Sequence, residues 1–125
     1  MPFILAVMLV VGMPTAVYAH HNGYKYSAPT LNSLQVVSCT QVRVNFAPKS
    51  PYTSVNYAPR SDFLTALNRH AWEYGTRDDV RRDTSYVIPN LRPDKRYYFR
   101  VYASQYGGHR LSRYSNVKSI YVPAC

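Results

Sequence analysis

Val42, Val44 and Phe46 alternate with Arg43 and Asn45, and Tyr97, Phe99, Val101 and Ala103 alternate with Tyr98, Arg100 and Tyr102. A period of two puts one set of side chains on each face of a pleated strand, so each segment has one face to bury and one to leave wet. The same reading gives strands over Leu31–Val37, Gln41–Phe46, Tyr52–Tyr57, Thr84–Ile88, Tyr97–Ala103 and Val117–Val122. In the third, Thr53, Val55 and Tyr57 share a face. Pro, Asn and Gly punctuate these runs as turn residues do. Short strands at such spacing, with no long helix, predict an antiparallel sandwich with one wet face per sheet.

Ala58–Arg82 breaks the pattern. Ser61 can cap a short helix running through Phe63, Leu64 and Leu67 to Tyr74, with Gly75 ending it. Alternatively, His70–Tyr74 can form an edge strand. The expectation is a helical turn or loop followed by that strand, with Trp72 packed inward as a structural residue. Beyond it, Asp78, Asp79 and Asp83 interleave with Arg77, Arg81 and Arg82, which reads as a salt-bridged loop rather than a calcium site.

The first residues set the compartment. Met1–Ala19 carries no charged side chain, is apolar from Phe3 to Val11, and ends through Pro14 on Val17-Tyr18-Ala19. That is a signal-peptide pattern cleaved before His20, although the usual charged start is missing. Its length approaches the roughly 20 residues that span a bilayer, so an uncleaved membrane anchor is the alternative. The expected organisation is residues 1–19 as signal, 20–27 as a flexible leader and 28–125 as one domain, secreted and extracellular. The chain holds 15 Lys and Arg against 6 Asp and Glu. Outside the cell, such a balance suits sulfated glycans, anionic cell surfaces or acidic proteins, and the compartment argues against nucleic acid. Cys39 and Cys125 are the two cysteines. An oxidising compartment lets them pair, and a free or intermolecular thiol is the other possibility.

Within Tyr86–Ala103, Leu91 is followed two residues later by Pro93 and six later by Tyr97, after which the strand continues through Phe99, Val101 and Ala103. This motif resembles that of the fibronectin type III domain. Pro29, Leu31 and Leu34 upstream, Val55 and Tyr57 in the middle, and Ser112, Tyr114, Ser115 and Asn116 downstream extend the resemblance over about Ala28–Val122. It implies an all-β, seven-stranded antiparallel immunoglobulin-like sandwich of fibronectin type III topology. It also implies that Tyr97 is a tyrosine corner, its ring in the core edge and its hydroxyl bonded to backbone upstream. Leu91, Pro93 and Phe46 would be structural, Phe46 standing where the family usually has Trp. In that topology the turn after the first strand and the end of the last strand share a pole, which implies a Cys39–Cys125 disulfide pinning the C-terminus.

No arrangement for catalysis emerges. Of the four histidines, His20, His21, His70 and His109, an N-terminal His20 could chelate copper with a second His, but no spacing completes a site. Phosphate-cradling Gly loops, HExxH, paired-Cys zinc motifs, Arg-Gly-Asp and Asn-x-Ser/Thr are absent. No cofactor or metal is expected, and no enzymatic activity. Leu111-Ser112-Arg113-Tyr114-Ser115 loosely resembles the Trp-Ser-x-Trp-Ser box of cytokine receptors.

The positive expectation is binding, because Tyr and Arg make interface hot spots. Tyr52, Asn56, Tyr98, Arg100, Tyr102 and Tyr121 are expected as neighbours on one outward sheet face, beside a loop over 106–110. A second surface is Arg92, Lys95 and Arg96, joined by Arg81 and Arg82, for electrostatic attachment to heparan-like chains. The chain therefore reads as an extracellular interaction or adhesion module for a protein or acidic glycan. The alternatives are a small copper-binding β-sandwich using His20 and a spacer fragment of a multidomain cell-surface receptor.

Overall fold

The computed structural model describes residues 23–63, 76–105 and 109–125. Met1–Ala19, His20, His21, the helix or strand expected over 64–75 with Trp72, His70, and the loop tip 106–108 lie outside the described residues.

Seven strands form two antiparallel sheets. β1 (Thr30–Ser38), β2 (Gln41–Ala47) and β5 (Ser85–Ile88) make the first, in the order β1-β2-β5. β3 (Tyr52–Ala58), β4 (Thr76–Arg81), β6 (Lys95–Ser104) and β7 (Lys118–Val122) make the second, in the order β4-β3-β6-β7. The period-two expectation holds: Val42, Val44 and Phe46 face Phe99, Val101 and Val55 across a core that also contains Leu31, Ile88 and Val122. Fully burying an aliphatic or Phe side chain stabilises by about 1.5–3 kcal/mol, so this alternation carries the fold.

The motif around Tyr97 closes one end. Asn90 and Asp94 take positive φ and turn the chain from β5 into β6, which Asn and Asp tolerate better than bulkier residues. Tyr97 is buried, and its hydroxyl accepts a 2.9 Å hydrogen bond from the Arg92 amide. Leu91 is buried beside it, while Pro93 is an exposed turn residue. At the same pole, Cys39 in the β1–β2 turn is bonded to Cys125, with Cα atoms 5.2 Å apart. The bridge spans 86 positions, and the chain-entropy picture gives such a loop about 4–5 kcal/mol.

One segment differs from its expectation. The charged stretch read as a salt-bridged loop is β4, paired along Tyr52–Tyr57 of β3. Local composition argues against a strand there because Asp is a poor strand former. Tertiary pairing decides otherwise: Val80 sits opposite Thr53 and is buried, and the remaining charges decorate an edge, where they discourage pairing with another chain. Arg77 and Asp79 do form an ion pair, at 3.4 Å.

Candidate functional site

The outward face of the second sheet is where sequence placed the binding residues. In register, Tyr52 faces Ser104, Ser54 faces Tyr102, Asn56 faces Arg100 and Ala58 faces Tyr98. β7 adds Ser119 beside Tyr98 and Tyr121 beside Arg96.

Toward Ser104, that face is covered. Arg60 accepts a backbone bond from Phe63, and this turn folds Phe63 over the sheet, where it is 1% exposed. The Arg100 guanidinium lies between two rings, 3.9 Å from the centre of Phe63 and 3.6 Å from that of Tyr114. Its Nε donates a 2.6 Å bond to Asn56 Oδ1. Arg110 continues the alternation, 4.4 Å from Tyr114 and 5.0 Å from Tyr24. Tyr102 meets Tyr114 edge-on at 5.5 Å. The result is a ladder of alternating rings and cations, each stacked pair contributing about 0.5–2 kcal/mol. Burial lowers the Arg100 pKa, with Arg110 adding to the effect and the Tyr114 and Tyr102 phenols opposing it.

Backbone bonds hold the ladder's outer rail. Ser112 Oγ accepts from the Ala103 amide and Ser115 Oγ from the Val101 amide, each at 2.8 Å. These two serines belong to the Leu111–Ser115 box noted in the sequence, and its second aromatic position, Tyr114, is the ladder's central ring. The Tyr26 amide donates to the Leu111 carbonyl, so the end of the expected leader is docked along this rail.

Three expected contact residues thus change place. Asn56 and Tyr102 are 4% and 6% exposed, and Arg100 is half-buried. They line a second, polar-aromatic layer instead of an open surface. Tyr52 sits at the sheet's far end, with Arg81 stacked 5.8 Å from its ring. The expected grouping of Arg81 and Arg82 with Arg92–Arg96 also fails. Arg81 lies across from Tyr52, which pairs with Ser104, eight residues along β6 from Arg96 and so about 26 Å away.

Toward Arg96, the face is open. Arg96 and Tyr121 stand directly opposite one another, both exposed, Tyr121 at 46%. Arg96 Nη1 donates to Ser119 Oγ at 3.0 Å. Tyr98 is half-buried between β3 and β7. Arg92 is exposed in the adjoining turn, and Lys95 is half-buried at the start of β6. The two surfaces that sequence reasoning kept apart therefore meet here. From Arg92 onward the chain carries seven Lys and Arg against the single Asp94, while the other five acids fall between Asp62 and Asp83.

Sequence reasoning missed Phe63, Tyr24 and Tyr114 as ladder residues, since a stack built from four distant segments has no local period. A hint was present. The outward positions of β3 read Ser54, Asn56 and Ala58, small side chains that leave room for an overlying layer.

A groove of about 490 Å³ opens beside the Tyr97 turn, lined by Tyr57, Pro59, Asp78, Pro89, Leu91 and Tyr97 among others. Burial raises the Asp78 pKa against a hydrogen bond from Tyr86, and neighbouring Asp79 raises it further. Burial, then Asp78, pushes the Tyr57 phenol up to about 12. The Tyr86 phenol is raised by burial and then by Asp78. Among the described residues, no group of three or more His, Cys, Asp or Glu could hold a metal, and no helix is long and apolar enough to cross a membrane.

No family model and no curated protein matches the sequence. Many solved structures match the fold. The FN5 domain of Drosophila Lar aligns with a TM-score of 0.57 at 16% identity, over 78% of this chain and 96% of that one. The fn3 domain of human contactin 1 gives 0.56 at 18% identity, covering 78% of both chains. The FN1–FN3 fragment of chicken CNTN1 gives 0.58 at 20% identity over 78% of this chain, which spans 32% of that longer fragment. The similarity at such identities is one of fold: a fibronectin type III sandwich.

Proposed function

We propose that this chain, a fibronectin type III sandwich, is a secreted, non-catalytic interaction or adhesion module, with residues 28–125 as its domain and residues 1–19 as a cleaved signal. Its open face binds an acidic extracellular partner, glycan or protein. The observation that carries this is the juxtaposition of exposed Arg96 and exposed Tyr121 across β6 and β7, flanked by Tyr98 and the turn cations Arg92 and Lys95. Rings beside cations on a rigid sheet give shape-specific contacts, and the excess of positive charge steers acidic groups toward them. A fold of this kind hosts many partners, so the reading rests on the face and not on the architecture.

Heparin serves as the probe. Wild-type protein is expected to be retained on immobilised heparin at low salt and to elute earlier as salt screens the contact. The triple variant Arg92→Ala, Lys95→Ala, Arg96→Ala is expected to elute at clearly lower salt, while Arg81→Ala with Arg82→Ala, at the opposite pole, moves the elution less. Equal elution of wild type and the triple variant would sink the assignment of this face.

A further inference from the structure

The groove beside the Tyr97 turn holds a carboxylate, Asp78, which the open basic face lacks. Among the described acids, Asp62, Asp79, Asp83 and Asp94 are exposed, and Asp78 alone is half-buried. In register it sits opposite Val55, on the inner face of edge strand β4, where it accepts a hydrogen bond from Tyr86 of β5. Among the described residues the ion pairs are Arg60–Asp62 and Arg77–Asp79, and Asp78 belongs to neither. The groove runs between the two sheet edges at this point, and its other walls are the rings of Tyr57 and Tyr97 with Pro59, Pro89 and Leu91, while Arg92, which also lines it, is exposed and solvated.

A half-buried carboxylate selects what can enter. An anion is repelled, and a neutral apolar guest deepens the desolvation of the carboxylate without pairing it. A cation on an apolar stem satisfies both walls: the charge meets Asp78, and the stem lies on Leu91, the prolines and the tyrosine rings, whose faces also attract cations. A single carboxylate is too few ligands for a divalent metal, whereas an ammonium needs only one counter-ion and a few oxygens. We propose that this groove binds the ammonium group of a lysine side chain presented by a protein partner, with Asp78 as counter-ion and Tyr57 and Tyr97 as walls. The groove shares Arg92 with the basic face, but the proposal does not rest on glycan binding there.

The test is an NMR titration of ¹⁵N-labelled full-length protein with Nα-acetyl-lysine methylamide, compared with the same probe acetylated at Nε. Saturating shifts are expected at Ala58, Asp78, Asn90, Leu91 and Tyr97, with a Kd on the order of 1–10 mM. The neutral probe should give no saturation, and Asp78→Asn should weaken binding at least tenfold. That substitution removes a charge that burial disfavours, so the variant is expected to fold. Acidifying wild type through the Asp78 titration gives the same loss without mutation. The groups around Asp78 are Tyr57 from β3, Tyr86 from β5, Tyr97 from β6 and Arg92 from the turn, while Arg77 and Asp79 flank it on its own strand and point to the opposite face. Asp79 is the other carboxyl group among these, so Asp79→Asn is the control and should retain binding. Arg96→Ala, which lies outside the groove lining, should lower heparin retention but leave the lysine-probe Kd within about twofold, which separates a failure here from a failure of the basic face. Linear shifts, equal response to the neutral probe, or an unchanged Kd in Asp78→Asn would overturn the proposal.

Discussion

One face of the four-stranded sheet is finished in two ways. Near Ser104, β3 offers Ser54 and Asn56, and the chain lays Phe63, Tyr114 and Arg110 across them so that Arg100 is stacked between rings. Near Arg96, β6 pairs with β7, no such layer is stacked on them among the described residues, and Tyr121 and Arg96 stay in solvent. Composition scarcely differs between the halves, each having Tyr and Arg at alternate positions of β6. What differs is which segment crosses above. A Tyr–Arg pattern on a strand therefore specifies either a polar-aromatic core or a contact surface, and the choice is made by residues far away in sequence.

The largest effect tests what holds the open half. The disulfide ties the pole next to Arg96 and Lys95, so Cys39→Ser with Cys125→Ser is expected to lower stability by about 4–5 kcal/mol in denaturant unfolding. If the loss is under about 1 kcal/mol, the side-chain contacts of that pole suffice and the bridge is incidental.

The covered half is held by stacking instead. Arg100→Met removes two ring contacts and the bond to Asn56, for an expected loss of about 3 kcal/mol by urea melt. Arg100→Lys should recover little of it, because an ammonium cannot lie flat between Phe63 and Tyr114. Full recovery by Lys would show that charge alone matters there and would break the comparison. Phe63 sharpens it further. Its φ of 63° is unusual for a bulky side chain, so Phe63→Gly relieves backbone strain while deleting the ring, and a net loss of stability by thermal melt would show that the stack outweighs the strain.

Behind the open half, Tyr57 gives a smaller, pH-confined effect. An unfolded tyrosine loses its proton near 10, and in the fold Tyr57 holds its proton to about 12. Between those values the native state binds more protons than the unfolded one, so stability falls as pH rises through that window and the contribution is intact below it. Tyr57→Phe should flatten the alkaline decline relative to wild type in parallel melts. An identical decline would place the phenol in a more solvated setting.

Much of this molecule was legible in the sequence. The alternation at Val42–Phe46 and Tyr97–Ala103 reads directly as strands because burial forces period two, and the Leu91-Pro93-Tyr97 motif implied a corner through its resemblance to the fibronectin type III motif, an expectation met by the Tyr97 hydroxyl on the Arg92 amide. The charges of β4 concealed a strand, since pairing with β3 and a single buried Val80 override poor local propensity. The candidate face was half legible. Alternation put Tyr98 and Tyr121 on one sheet face but assigned Arg96 to a separate surface, and it cannot reveal that Tyr24, Phe63 and Tyr114 would roof over Asn56, Arg100 and Tyr102.

The smallest expected change in stability is also the most discriminating. Arg96→Ala with Tyr121→Ala removes two exposed side chains that face each other across β6 and β7. Exposed substitutions of this kind usually fall within about 0.5 kcal/mol, although the lost Arg96–Ser119 bond and one cross-strand pair push the value toward destabilisation. Heparin retention, by contrast, should drop sharply. The Arg100→Met variant should show the reverse: a large loss of stability with little change in retention for the protein that remains folded. If both variants lose binding in proportion to stability, the two halves act as one surface, and the ladder serves contact as well as packing. If only the Arg96–Tyr121 pair loses binding, the roof over β3 and β6 is architecture that keeps the sheet flat and rigid for the face beside it.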